Sequence, residues 1–272
     1  MIKRGDGKMH HVYEMLDLTK DWLYQACNYI QLSLQERLII ETKSNPNDLV
    51  TQVDTAIEAF FIEQISTHYP EHRVLGEEGN CNHERYDKGY VWIIDPIDGT
   101  TNFIHQQRHF AISIGVFKDK KPVFGVIYDV MADDMYYGVA GVGAFLNDVP
   151  LPALKPRPVT KSIIGINSEW VAPNNYLNHE LIGKMIKDVR SARSYGSCAI
   201  EMAYVASGRL DAYITPRIAP WDIAAGLIIG AEVGALAIDL KGNEKDVLKR
   251  GGMIFSAPSL HQPLLENYIK ET

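Results

Sequence analysis

The chain has 272 residues and 46% hydrophobic content, enough to bury a large core in one domain or in two closely packed halves. Its net charge of −7 argues against extended contact with nucleic acid, which normally requires a clustered basic surface. No apolar stretch approaches the roughly 20 residues that span a bilayer, and residues 1–7 lack the apolar core of a signal peptide, so we expect a cytoplasmic protein without membrane contact. Cys27, Cys81 and Cys198 lie far apart without CxxC spacing, which disfavours a disulfide framework and a structural zinc site.

The first half of the chain begins with two predicted helices. Apolar residues recur at helical spacing over residues 12–34, and a polar loop follows at 41–50. A second helix starts at Thr51, where a capping-box pattern places Asp54 in the first turn. That carboxylate can simply stabilise the helix dipole, or it can belong to a site, and the pattern leaves both interpretations open.

Two predicted strands then end in carboxylates. The strand 72–75 leads into Glu77 and Glu78, which are either solvated charges on a turn or part of a site. The apolar, β-branched run 91–94 is typical of a fully buried strand, and it ends in Asp95 and Asp98.

The segment after the buried strand has the features of a metal and phosphate site. Pro96 restricts Asp95 to an extended backbone and Gly99 permits a sharp turn, so Asp95 and Asp98 can point at one place. Oxygen ligands without nearby Cys or His favour magnesium, manganese or calcium over zinc. The next peptide N–H groups lead into a helix predicted near residue 102, and such a helix start can hold a phosphate. These N–H groups belong to Gly99, Thr100 and Thr101. The simpler alternative is that both aspartates only cap a turn and a helix.

The rest of the pattern divides one expected domain, residues 10–270, into two packed halves, 10–150 and 151–270. Runs at 110–117, 123–128 and 135–139 predict an antiparallel meander, and four prolines within 150–158 mark the connection. The second half alternates strands with helices, which indicates a layered α/β arrangement. Its predicted strands are 162–166, 191–195, 211–214, 236–239 and 253–257, and its predicted helices are 180–189, 197–207, 221–233 and 260–269. Pro220 opens one of these helices and Asp222 lies in its first turn.

Three segments, in this order, resemble the signatures of the inositol monophosphatase family, within the lithium-sensitive, magnesium-dependent phosphatase superfamily. They are Gly76-Glu77-Glu78, residues 95–103 and residues 221–226. Residues 47–54 and 193–197 also resemble family segments, and the similarity extends from the first helix to near the C-terminus. The resemblance implies a mixed α/β (α+β) fold, the layered αβαβα sandwich of the inositol monophosphatase and fructose-1,6-bisphosphatase type, and a homodimer.

The resemblance also implies a role for each residue of the acidic set. Two to three magnesium ions would be bound, the first by Glu77, Asp95 and the carbonyl of Ile97, the second by Asp95, Asp98 and Asp222, and a weaker third by Glu77 with waters. Asp54, Glu77 and Thr100 would be catalytic, with Thr100 and Asp54 orienting and deprotonating the attacking water. The amides of Gly99, Thr100 and Thr101 would bind the phosphate. These residue types suit in-line hydrolysis of a phosphate ester without a covalent intermediate.

Substrate choice is less well specified. Asp98 and the turn Gly196-Ser197-Cys198 would line the substrate pocket, and Lys43 would lie near its entrance. In animal relatives a Glu that contacts inositol hydroxyls occupies the position of Thr215 here. The nearby Arg217 could bind a second phosphate, or it could be an ordinary surface or interface residue.

Three functional hypotheses follow from the resemblance. The first is an inositol monophosphatase, and the second is a phosphatase that uses the same site for NADP or fructose 1,6-bisphosphate. The third is a mainly regulatory binding protein, since some bacterial relatives act with the transcription machinery. The complete acidic set favours catalysis over the third hypothesis.

Overall fold

The computed structural model describes residues 7–36, 38–42, 49–79 and 88–269. Its helices are α1 Gly7–Ser33, α2 Gln52–His68, α3 Thr100–His105, α4 His179–Asp188, α5 Cys198–Ala206, α6 Pro220–Glu232 and α7 His261–Leu264, which continues into a π-helical turn, Leu265–Ile269. Its strands are β1 Ile40–Thr42, β2 Leu49–Thr51, β3 Arg73–Gly76, β4 Tyr90–Asp98, β5 Ala111–Lys118, β6 Lys121–Asp129, β7 Asp134–Val139, β8 Gly143–Leu146, β9 Val149–Pro150, β10 Ile163–Gly165, β11 Ser191–Arg193, β12 Ala212–Ile218, β13 Leu236–Ile238 and β14 Gly251–Ser256. None of the described helices combines the length and the hydropathy of a membrane span.

Two sheets organise the molecule. The larger has seven strands in the order β3-β4-β5-β6-β7-β8-β9, and only β3 and β4 are parallel. The smaller has five strands in the order β11-β10-β12-β14-β13, with β10 parallel to both β11 and β12. Strands β1 and β2 form a separate antiparallel pair.

Helices and sheets alternate in five layers. Apolar residues of α1 and α2 pack on one face of the larger sheet. Helices α5 and α6 contact its other face and also pack toward the smaller sheet. Helices α4 and α7 cover the far side of the smaller sheet. The predicted αβαβα layering is therefore confirmed, because each amphipathic layer needs a partner on the face that it buries.

A row of glycines brings α6 close to the larger sheet. Gly115, Gly125 and Gly138 face each other across β5, β6 and β7. A Cβ atom added at Gly115 would lie 2.7 Å from the backbone carbonyl carbon of Ala224, and one at Gly125 would lie 2.7 Å from the carbonyl oxygen of Ala225. Side chains larger than hydrogen would therefore push the helix away. This close approach carries the first turn of α6 to the end of β4.

The structure differs from the sequence-based expectation in several places. The helix expected at 260–269 is α7 followed by a π-helical turn, and the strand expected at 191–195 ends at Arg193. Helix α1 begins at Gly7, five residues before the predicted start at 12. The predicted polar loop 41–50 contains parts of β1 and β2, and the three residues of β1 are all exposed, so no alternating apolar pattern indicated a strand. The meander continues into β8 and β9, which have only four and two residues and fall below the length at which periodicity is informative. The division into two packed halves stays a prediction.

Candidate active site

Three aspartates from two distant parts of the chain meet at the end of β4. Asp95 and Asp98 lie on β4 itself, and Asp222 lies in the first turn of α6. One carboxylate oxygen of each lies within 4.8 Å of the others, a spacing that suits a bound metal ion. The antiparallel register with β5 shifts between Asp95 and Asp98, so a bulge at Pro96-Ile97 lets two residues three positions apart approach the same point.

Neighbouring backbone groups fix each of these carboxylates. The N–H of Ile97 donates to Asp95 Oδ1 at 3.1 Å, and the N–H of Ala219 donates to Asp222 Oδ2 at 2.7 Å. Asp98 Oδ2 accepts from the N–H of Ala199 at 2.8 Å and also from the hydroxyl of Ser197. These hydrogen bonds hold the three carboxylates in place without help from a ligand.

The electrostatics of the cluster favour a cation. Burial raises the pKa of Asp95 well above its usual range, and the neighbouring carboxylates Glu77, Asp98 and Asp222 raise it further. Burial raises the pKa of Asp98 to about 6 and that of Asp222 to about 8, and the charge of Glu77 adds to both shifts. Like charges in a low-dielectric interior are costly unless a positive charge neutralises them. An all-oxygen donor set of this kind fits magnesium or calcium.

Glu77 approaches the same cluster from β3. It follows the last residue of that strand, and Gly76 pairs with Ile94 on the parallel β4. The negative charge of Glu77 raises the pKa values of all three aspartates and of Asp54, which places it among them. Because β3 and β4 run parallel, their carboxyl ends deliver acids to one edge of the sheet.

Asp54 caps its own helix and also contacts a residue next to the acidic cluster. Its Oδ2 accepts from the N–H of Thr51 at 3.0 Å and completes the capping box of α2. Its Oδ1 accepts from the hydroxyl of Thr100 at 3.3 Å, and that hydroxyl also lies 3.2 Å from the carbonyl oxygen of Ile97. Asp54 is 1% exposed, and burial raises its pKa. The two residues are 46 positions apart, so no local pattern joined them, and only the family resemblance placed them together.

The turn at Gly99 lies against the turn at Gly196. Both glycines have positive φ angles, +94° and +77°, which L-residues with a side chain rarely adopt. A Cβ atom added at Gly99 would lie 3.2 Å from Cβ of Ser197 and 3.3 Å from the carbonyl oxygen of Gly196. The N–H groups of Thr100 and Thr101 lie at the start of α3, ahead of the Phe103 N–H, which donates to the carbonyl oxygen of Gly99 at 3.0 Å. They are therefore available to an anion beside the aspartates.

Asn102 joins these two turns, a role that sequence reasoning missed. Its Nδ2 donates to the carbonyl oxygen of Tyr195 at 2.6 Å and to that of His109 at 2.8 Å. The residue stood inside the recognised signature, but its partner is 93 positions away, so no local pattern could reveal the contact.

The other predicted site residues have mixed placements. Ser197 caps α5 and contacts Asp98, whereas burial raises the pKa of the Cys198 thiol well above its usual range. Thr215 is buried, and its hydroxyl donates to the carbonyl oxygen of Arg217 at 3.0 Å, while Arg217 is exposed. Thr101 is exposed at the start of α3. Lys43 lies outside the described residues.

Comparisons with known proteins identify the family of the chain. The model of the inositol monophosphatase family matches residues 11–271. An inositol-1-monophosphatase of Bacillus subtilis is 45% identical over 256 residues, covering 94% of this chain and 97% of the relative. A Nus factor SuhB of Escherichia coli is 32% identical over 260 residues, covering 94% and 96% of the two chains.

Solved structures with the same fold contain relevant ligands. Inositol monophosphate bound SaIMPase-II has a TM-score of 0.84 and 39% identity, covering 94% of this chain and 93% of that one. An IMPase/NADP phosphatase complexed with Mg²⁺ and phosphate has a TM-score of 0.88 and 29% identity, covering 96% and 100%. Both similarities extend over nearly the whole of each chain.

Proposed function

Because the chain belongs to the inositol monophosphatase family, we propose that it is a magnesium-dependent phosphomonoesterase that hydrolyses inositol 1-phosphate to inositol and phosphate. The observation that carries this proposal is the junction of two buried aspartates, Asp95 and Asp98, and the partly buried Asp222 with the Gly99–Thr100 turn. The acids can bind cations, and the turn presents N–H groups to a phosphate at the same place.

The acidic residues divide among the metal positions. We assign Glu77, Asp95 and the carbonyl of Ile97 to a first magnesium ion, Asp95, Asp98 and Asp222 to a second, and Glu77 to a weaker third. Bound magnesium neutralises charge on the phosphate oxygens, lowers the pKa of water and stabilises the leaving oxygen. The raised pKa values of Asp95, Asp98 and Asp222 fit this assignment, because a cation removes the repulsion that causes part of each shift.

Asp54 and Thr100 act on the attacking water. The Thr100 hydroxyl lies between Asp54 and the carbonyl of Ile97, so it can orient a water molecule beside the phosphate. Burial makes the Asp54 carboxylate a stronger base than a solvated aspartate, and it can take the proton of that water. Backbone N–H groups at Gly99, Thr100 and Thr101 hold the phosphate in line.

Direct hydrolysis is favoured over a covalent intermediate. The Ser197 hydroxyl donates to Asp98, so it is engaged with an acceptor that helps to bind metal. The Cys198 thiol has a raised pKa and stays protonated at neutral pH, which removes the thiolate nucleophile. Asp98, the acceptor of the Ser197 hydroxyl, is assigned to a magnesium ion and would not be free to act as the base of a nucleophilic serine.

A second candidate activity is removal of a phosphate from NADP or fructose 1,6-bisphosphate at the same site. Thr215 offers no carboxylate to sugar hydroxyls, and its own hydroxyl is bonded to the backbone of Arg217. The exposed guanidinium of Arg217 suits a second phosphate group. One of the similar structures is named as an IMPase/NADP phosphatase. With Gly196, Ser197 and Cys198, these residues form our proposed substrate-binding set.

The physiological setting is proposed from the same family membership. A homodimer and a cytoplasmic location stay predictions, which gel filtration with light scattering and cell fractionation would test. A regulatory role like that suggested by the name Nus factor SuhB stays a third candidate. The complete set Glu77, Asp95, Asp98 and Asp222 supports catalysis, because a protein that only binds a partner has no need of a cluster of like charges that costs free energy.

Phosphate release is the decisive measurement. The protein is incubated with magnesium and inositol 1-phosphate, NADP or fructose 1,6-bisphosphate, with Asp95→Asn as the matched control. Release that requires magnesium and is lost in the control would support the phosphatase and rank its substrates. If the folded protein binds magnesium but hydrolyses none of these esters, the proposed substrate range is wrong and the binding role gains support.

A further inference from the structure

Two glutamates outside the acidic cluster lie buried beneath the turns that form the site. Glu58 on α2 and Glu201 on α5 are both 0% exposed. A fully buried carboxylate costs free energy unless it makes strong hydrogen bonds, so its contacts indicate what it stabilises. Neither residue belongs to the metal, phosphate or substrate sets assigned above.

Glu201 binds the backbone of the turn that precedes its own helix. Its Oε1 accepts from the N–H of Tyr195 at 2.8 Å, and the N–H of Gly196 also donates to this carboxylate. Its Oε2 has no hydrogen-bond partner among the described residues. Gly165 leaves the space that this oxygen occupies, because a Cβ atom there would overlap with it. The side chain thus serves the Tyr195-Gly196 turn.

That turn forms the substrate side of the site. Asn102 holds the carbonyl of Tyr195 from the opposite side, so Glu201 and Asn102 fix both polar groups of one residue. The next residues, Gly196 and Ser197, lie against Gly99 and contact Asp98. A displaced turn would therefore alter the walls around the phosphate and the substrate, while α5 itself stays packed in the core.

Glu58 binds the backbone of the turn that carries Glu77, in the same way that Glu201 binds the Tyr195-Gly196 turn. Its Oε2 accepts from the N–H of Glu78 at 2.8 Å. Gly76 provides the space, since a Cβ atom at that position would overlap with the Glu58 carboxylate. The turn Gly76-Glu77-Glu78 carries the acid assigned to the metal ions. The chain therefore uses one construction twice, a buried glutamate on a helix beneath a turn and next to a glycine.

We propose that Glu58 and Glu201 are positioning residues for opposite halves of the site, Glu58 for the turn that presents Glu77 to the metal and Glu201 for the turn that presents Gly196 and Ser197 to the substrate. The assignment of the two halves rests on the proposed phosphatase function. Neither glutamate touches the reacting atoms, and each acts through backbone N–H groups of its turn.

The two replacements should fail in different ways. Glu201→Ala removes the acceptor of the Tyr195 and Gly196 N–H groups, and we expect KM for the phosphate ester to rise about tenfold with little change in the magnesium concentration for half-maximal activity. Glu58→Ala should raise that magnesium concentration about tenfold with little change in KM. A purely structural role would instead lower kcat per total protein with the fraction folded, and would change neither constant.

Conservative variants and a control test the mechanism. Glu201→Gln and Glu58→Gln keep an acceptor oxygen for the backbone N–H groups. We therefore expect KM of Glu201→Gln, and the magnesium concentration for half-maximal activity of Glu58→Gln, to lie within about threefold of the wild-type values. Glu63, which is exposed on α2, offers a matched control, and Glu63→Ala should leave both constants unchanged. Hydrogen exchange of the turns, read by mass spectrometry, and calorimetry of Mg²⁺ binding give readouts that need no turnover.

The experiment measures kinetics, hydrogen exchange and magnesium binding on the full chain for all five variants. We expect faster exchange at Tyr195 and Gly196 in Glu201→Ala only, and weaker magnesium binding together with faster exchange at Glu78 in Glu58→Ala only. Unchanged exchange at both turns, or equal effects of both variants on KM and magnesium dependence, would overturn the proposal. If the wild type hydrolyses no ester, the proposed function fails, whereas exchange and calorimetry still decide the positioning roles.

Discussion

The two ends of β4 bury polar groups in opposite ways. At the N-terminal end, Tyr90 and Trp92 lie in an aromatic cluster with Tyr69 and His72. At the C-terminal end, Asp95 and Asp98 lie among further carboxylates. Both ends belong to one nine-residue strand, and the residues from Val91 to its end are all buried. Burial of a polar group therefore does not by itself mark a functional site.

The protein satisfies its own polar groups at the aromatic end. The His72 ring stacks on Tyr69 with centroids 4.8 Å apart and on Tyr90 at 4.4 Å. The Trp92 indole N–H donates to His72 Nδ1 at 3.0 Å, which requires an unprotonated nitrogen there. Burial lowers the pKa of His72 to about 4, so the ring stays neutral at physiological pH. This end needs nothing from outside the chain.

The carboxylate end lacks that internal compensation. The pKa values of its aspartates are raised because burial and like charge act in the same direction. A proton or a metal cation from solution can relieve both. The difference between the two ends suggests a rule. Buried ionisable groups that are surrounded by groups of the same charge indicate a functional site, whereas buried polar groups that have hydrogen-bond partners within the protein are structural.

The largest predicted effect is that of Asp95→Asn, which should lower activity without lowering stability. Asp95→Asn keeps an oxygen that can accept from the Ile97 N–H but removes a charge from the cluster. We expect kcat/KM to fall by about three orders of magnitude or more, since metal-based charge stabilisation is lost. The metal-free variant should be at least as stable as the wild type in urea unfolding, because a like-charge repulsion disappears.

Trp92→Phe is the opposite variant at the other end of the same strand. It keeps an aromatic ring in a 0% exposed position but loses the hydrogen bond to His72 and part of the packing volume. We expect a loss of about 2 kcal/mol in the free energy of unfolding, with kcat/KM within about twofold of the wild type. Equal losses of activity in Trp92→Phe and Asp95→Asn would contradict the distinction between the two ends.

Removal of magnesium should expose the cost of the carboxylate cluster. Asp222 has a pKa raised to about 8 in the folded protein, against 3.8 as its ordinary value. The Asp222 carboxyl keeps its proton to a higher pH in the folded state than in the unfolded state. Its contribution to the free energy of unfolding is therefore fully present below pH 4 and is lost as pH rises through 8. With EDTA, we expect the Tm measured by calorimetry to fall about 5 °C between pH 5 and pH 8.

Magnesium provides the control for that measurement. Because ions bind the deprotonated acids, saturating Mg²⁺ should raise the Tm most at pH 8 and abolish the decline. A metal-free Tm that rises steadily from pH 5 to pH 8 would argue against a protonated cluster.

Titration of His72 should have the smallest effect on stability, and its pH dependence should have the opposite sign to that of Asp222. Its pKa lies at about 4 in the folded protein, below the ordinary 6.5, so the unfolded state takes up the proton first as pH falls. The stability it contributes is present above pH 6.5 and is lost as pH falls through 4, by about 1 kcal/mol for this half-buried ring. His72→Gln should flatten that part of the stability profile, measured by urea unfolding with magnesium present.

An exposed histidine serves as the matched variant. His179 lies at the start of α4 on the surface, and His179→Gln should leave the profile unchanged. If His72→Gln and His179→Gln give the same profile as the wild type, the aromatic cluster does not hold a neutral histidine.

Local patterns were sufficient for much of the fold and for the acidic residues. The apolar run before Asp95, the capping box at Asp54 and the Pro220 helix start each lie within a few residues of chain, and the structure has β4, α2 and α6 at those places. Short exposed strands such as β1 and β9 carry no such pattern. Periodicity can indicate an element only where one of its faces is buried over several residues.

The sequence by itself determined which residue types are available, the strand that ends in Asp95 and Asp98, and the helix start that carries Asp222. Only the tertiary structure decided that Asn102 binds the carbonyl of Tyr195, that three glycines in register let α6 approach β4, and that Glu58 and Glu201 lie beneath the two turns. The physical reason is range: hydrogen-bond geometry and steric overlap depend on distances of a few ångströms between groups far apart in the chain, whereas capping and periodicity act between close neighbours.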